Sequence, residues 1–94
     1  MKIFDWSVEK AELLQKQRGV NFENVVWAIE NGYLLAVVDS ANQKVFSGQQ
    51  SFVVNIDDYA YLVPFVEDKG IVFLKTIIPS RKATKMYLKG GRHG

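Results

Sequence analysis

The sequence has no cysteine and a single histidine, His93. The first absence excludes a disulfide framework and a thiolate metal site; the second leaves no ligand set for zinc. Proline is scarce, with Pro64 and Pro79 alone, and no Pro- or Ser-rich stretch reads as a linker. No apolar run approaches the length needed to span a bilayer. The opening MKIFDWSVEK is broken by Asp5, Glu9 and Lys10, which does not fit a signal peptide. Ser/His/Asp and Cys/His sets, a phosphate-binding glycine loop and a dinucleotide fingerprint are also missing. These absences lead us to expect a soluble, cytoplasmic domain with no membrane contact, no metal and no cofactor.

One further absence is local. Between Lys75 and Gly94 there is no Asp or Glu, against six Lys/Arg, whereas residues 1–74 hold six Lys/Arg and ten Asp/Glu. The formal net charge of +2 conceals this division. A basic end on an acidic body is the distribution expected of an anion-binding protein.

What is present suffices for one modest core, since 48% of the 94 residues are hydrophobic and they are spread along the chain. We expect one domain over residues 1–89 and a flexible tail over 90–94. SVEKAELLQKQRG reads as a first helix, with Ser7 as N-cap, Trp6 before it to cover Ala11 or Leu14, and Gly19 as the stop. NFENVVWAIENG reads as a second, capped by Asn21, stapled by Val20 and Val25, and closed by Asn31-Gly32. Its Phe22, Val25, Val26 and Ile29 share one buried face.

The period then shortens to two. YLLAVVD, SFVVNI, YAYLVPFV and IVFLKTII read as strands. NQKVFSGQQ reads as a loop, Asp57-Asp58 as a tight turn and EDKG as another. Pro64 cannot donate a ladder hydrogen bond, so its strand is an edge or the bond is lost at a bulge. Pro79 ends the last strand. Ser80 caps a third helix, RKATKMYLK, which Gly90-Gly91 terminates. The short turns predict an antiparallel meander of about four strands with the helices on one face, a two-layer α+β domain.

In that third helix Arg81, Lys85 and Lys89 are four apart and share a face, while Ala83, Met86, Tyr87 and Leu88 supply the apolar side. A helix this short must dock on the sheet to persist. Arg81 and Lys82 stand where the helix dipole is positive and disfavours cations. No adjacent acid compensates them, and such a local conflict points to a site. An Arg fork beside free backbone amides, with Lys75 on the preceding strand, suits a phosphate. The acidic pairs Glu9/Glu12 and Asp57/Asp58 read as a solvated helix face and a turn. Tyr59, Tyr61, Phe65 and Phe73 read as packing.

Two stretches carry a family resemblance. FDWSVEKAELLQKQRGVNFENV resembles the opening of the BrnT-type toxins, roughly F-x-W-D-x-x-K followed by K-H-G-V-x-F-x-x-A. IIPSRKATKMYL resembles their closing I-S-A-R-K-A-T. The resemblance covers both ends of the chain and the order of elements between them. It implies a RelE-like α+β fold with two N-terminal helices, an antiparallel sheet and a C-terminal helix. It further implies the toxin of a type II toxin–antitoxin system, a metal-independent ribonuclease that cuts messenger RNA, free or on the ribosome. A cognate antitoxin protein would silence it. Arg81 and Lys82 match the R-K of the closing motif, and Lys10 matches the lysine of the opening one. The family's His before Gly is Arg18 here, the Lys before it is Gln17, and Pro79 replaces the Ser two places before the motif Arg. An arginine of the family's last strand falls at Thr76, with Lys75 one residue earlier.

RNA carries its own nucleophile, the 2′-OH, so fixed cations can supply alignment and charge stabilisation. On this reading Arg81 holds the non-bridging phosphate oxygens. Lys75 or Arg18 stabilises the transition state, and Lys82, Lys85 and Lys89 follow the flanking phosphates. Tyr87 stacks on a base, acts in proton transfer, or packs on the sheet. With His93 as the only histidine, a lysine must serve as base or none does. The alternative expectation is a non-catalytic RelE-like domain that binds RNA or an antitoxin without cleavage.

Overall fold

The computed structural model describes residues 3–39 and 50–89, with Lys89 in its backbone only. Of the loop expected at 42–50 only Gln50 falls among them; Gly90-Gly91 and the tail lie outside. The elements are β1 (Ile3–Trp6), α1 (Val8–Arg18), α2 (Phe22–Glu30), β2 (Leu34–Asp39), β3 (Gln50–Ile56), β4 (Tyr59–Asp68), β5 (Ile71–Leu74), β6 (Ile78–Pro79) and α3 (Arg81–Thr84), which continues as a π-helical turn, Lys85–Lys89. No helix among the described residues is long and apolar enough to cross a membrane.

Local chemistry sets most boundaries. The Ser7 hydroxyl accepts from the Lys10 N–H and opens α1, and Gly19 closes it with φ 69°, a conformation that costs glycine nothing. Asn21 and Asn24 cap α2 reciprocally, each side chain accepting the other's backbone N–H. Asp57 and Asp58, at φ 55° and 64°, form the two-residue left-handed turn between β3 and β4. Ser80 accepts from the Ala83 N–H and starts α3.

Four expectations need correction. Trp6 precedes the Ser7 cap and packs with Ala11 against the core that holds Leu14, but it also ends β1, a strand not expected, and stacks on Phe22 with ring centroids 5.6 Å apart. The sheet is not a purely antiparallel meander of about four strands: its order is β1-β5-β4-β3-β2, with β6 also on β4, and β1 runs parallel to β5. The helices do not share one face. α1 and α2 lay Leu14, Phe22, Val25 and Ala28 against Phe52, Val54, Val63 and Leu74. Ala83, Tyr87 and Leu88 cover Val53, Ala60 and Leu62 on the opposite face. The near-continuous apolar runs of β3 and β4 are the signature of strands covered on both sides. Finally, α3 is α-helical for one turn only, and Met86 is 57% exposed rather than packed. A π-turn bonds i to i+5, so residues four apart no longer superpose across Lys85.

Pro64 sits in the middle of the sheet, and a bulge absorbs its missing donor. Its carbonyl accepts from the Lys75 N–H at 2.8 Å, so its lost N–H faces the β5–β6 strand. There the ladder breaks. Leu74 pairs with Phe65, but Ile78 pairs with Leu62, so the β5–β6 strand carries one extra residue. Beyond Leu74 no further strand among the described residues covers this side, and there residues 75–79 form an open edge.

Candidate functional site

The basic segment is held to β4 by one threonine. Thr84 is almost fully buried. Its Oγ1 accepts from the Ala60 N–H at 2.9 Å and donates to the Ser80 carbonyl at 2.8 Å. The Ser80 N–H in turn donates to the Ala60 carbonyl at 3.0 Å. Thr84 therefore takes the place of a strand residue in the ladder. Ala83, buried beside it, supplies the apolar contact.

This attachment leaves the cations outward. Arg81, Lys82 and Lys85 are exposed, and none of them makes an ion pair among the described residues. Arg81 follows directly on the β6–β4 ladder, where Pro79 pairs with Tyr61 and Ser80 bonds Ala60. Tyr59 and Tyr61, on the neighbouring strand, meet edge to face with centroids 5.6 Å apart. Tyr87 is half-buried and packs on the sheet. Lys89 belongs to the π-turn by its backbone.

Arg18 reaches the open edge of residues 75–79 from α1. Its Nη1 donates to the Ile77 carbonyl at 2.8 Å, inside the bulge between β5 and β6. The bulge frees this carbonyl from the β4 ladder, and one arm of the guanidinium takes it up. The remaining donors stay available at the open edge. Lys75 is also exposed on that edge but stands opposite Pro64. This places it on the face that carries α3, whereas Arg18 comes from the face of α1. Arg18 thus meets Ile77 at the open edge from the face of α1, whereas Lys75 and α3, with Arg81, lie on the opposite face.

A cavity of about 440 Å³ adjoins this edge, between α2 and the β3–β4 turn. Gly19, the residue after Arg18, is in its wall, together with Asn24, Trp27, Tyr33, Asn55, Asp57 and Asp58. Trp27 and Tyr33 are stacked, with centroids 5.5 Å apart and planes inclined by 21°. They are 58% and 43% exposed. Sequence reasoning assigned nothing here beyond the turn. The available signal was Trp27, a large aromatic off the buried stripe of α2 and therefore turned to solvent.

Comparison with family models, with curated proteins and with solved structures finds no match to this chain.

Proposed function

We propose that this chain is a metal-independent endoribonuclease of the RelE-like toxin class, with Arg18 and Arg81 holding the phosphate that it cuts. The observation that supports this reading best is the 2.8 Å bond from Arg18 to the Ile77 carbonyl, at the edge that leads into Arg81. It fixes the Arg18 guanidinium on the carbonyl four residues before Arg81, which makes no ion pair among the described residues, and fixed forks suit phosphate oxygens. The 2′-oxygen forms a bond to the adjacent phosphorus while the bond to the 5′-oxygen breaks. The 2′ proton leaves to a base or to water, and the departing 5′-oxygen takes up a proton. The products are a 2′,3′-cyclic phosphate and a 5′-hydroxyl. Arg18 and Arg81 stabilise the extra negative charge on the non-bridging oxygens. Lys82 and Lys85 meet flanking phosphates, joined by Lys89 further along the turn and by Lys75 where the RNA passes over the edge. A cognate antitoxin protein would cover the same cations.

A second reading is a binding domain without cleavage. It is favoured by the absence, among the described residues, of any histidine or carboxylate hydrogen-bonded to Arg18 or Arg81. Single-turnover assays on free RNA and on messenger RNA in translating ribosomes separate the two. Cleavage in the presence of chelator, lost by about 10²–10³-fold in Arg81→Ala with an unchanged circular dichroism spectrum, is the expected result. Intact RNA under both conditions, with binding retained, would establish the second reading instead.

A further inference from the structure

We propose that the cavity beside Arg18 is a nucleobase subsite that selects guanine. The proposal rests on the ribonuclease reading for its purpose, but its chemistry stands on the cavity itself. Three features define the ligand. The first is an aromatic wall. Trp27 and Tyr33 form an exposed stack, and an unstacked base can add to its outer face as a further ring. Tyr33 is held rigidly for this purpose. Its N–H donates to the Ala28 carbonyl at 2.8 Å and its carbonyl accepts from the Asn55 N–H at 3.0 Å, so its backbone is tied to both α2 and β3.

The second feature is acceptors. Asp57 and Asp58 both belong to the lining, and an ionised carboxylate accepts only. The third is an oriented donor. The Asn24 Oδ1 accepts from the Asn21 N–H at 3.2 Å, which fixes the amide so that its Nδ2 is left to donate. Nδ2 makes no hydrogen bond among the described residues.

Only one common base matches that code along its Watson–Crick edge. Guanine presents N1–H and the N2 amino group side by side, two donors for a carboxylate, next to an O6 acceptor for Asn24. Adenine and cytosine each place a ring-nitrogen acceptor beside their amino group, which a carboxylate repels. Uracil flanks its one N–H with two carbonyls. A guanidinium offers the paired donors and can stack, but it has no acceptor for Asn24.

Position links the subsite to the edge. Gly19 is in its wall and Arg18 precedes it, so a phosphate held by Arg18 has its own or its neighbour's base within reach of the stack.

The test titrates the protein with phosphate-free guanosine, adenosine, cytidine and uridine, and with arginine ethyl ester. It follows the Trp27 indole N–H by NMR. Guanosine should shift that resonance at a concentration at least tenfold below the other nucleosides. Asp57→Asn with Asp58→Asn keeps the left-handed turn, because Asn tolerates positive φ, and should abolish the preference. Equal response to all nucleosides, no response, or a stronger response to the arginine ester would each overturn the proposal. Arg81→Ala should leave guanosine binding unchanged. Guanosine selectivity without RNA cleavage would therefore sink the ribonuclease reading alone.

Discussion

Thr84 shows how much one side chain can settle. Replacing it by Val keeps the shape but leaves the Ala60 N–H buried without an acceptor. The cost should be about 1–3 kcal/mol, read as a lowered urea midpoint with an unchanged slope, whereas Thr84→Ser should recover most of it. In the sequence this threonine was only a letter in the closing motif, because its partner lies on β4, far from it in the chain. The caps were legible for the opposite reason. Ser7, Asn21 and Ser80 act on amides three residues away, so the sequence window that contains the cap contains the whole interaction. Arg81 was legible as an unpaired cation. Arg18 was legible only through its place in a resemblance; its bond to Ile77 spans the domain and leaves no local trace.

Elements obey the same division. The β3–β4 hairpin was legible from alternation around Asp57-Asp58, but the use of that turn was not. Two adjacent aspartates at positive φ carry backbone strain that Gly would relieve. Asp58→Gly should therefore raise stability by about 1 kcal/mol in thermal or chemical unfolding, and should weaken guanosine binding. A loss of stability would mean that the carboxylate supports the fold rather than a ligand. β1 was not legible because four residues give too short a period and their partner strand lies near the far end of the described chain. The bulge was half legible. Pro64 announced a missing bond, but whether its strand was an edge or a bulged interior strand depended on where β6 lands.

The whole molecule sorts its charge by position. Lys75 is exposed on one open edge, and Arg81, Lys82 and Lys85 are exposed on the segment that follows it. Affinity for single-stranded RNA should then fall steeply with salt, with a log–log slope of about −0.7 per phosphate contact. Arg81→Ala should make that slope shallower by about one contact, measured by fluorescence anisotropy across salt concentrations. A slope that does not respond to Arg81 would place RNA on another surface. The topology has a consequence in time as well as in space. Because β1 lies parallel to β5, no hairpin can bring them together, and nearly the whole chain must be in place before Ile3 finds Ile71. α1, α2 and the β3–β4 hairpin need only near neighbours and can form first. The β1–β5 pairing is therefore expected to form after these local elements.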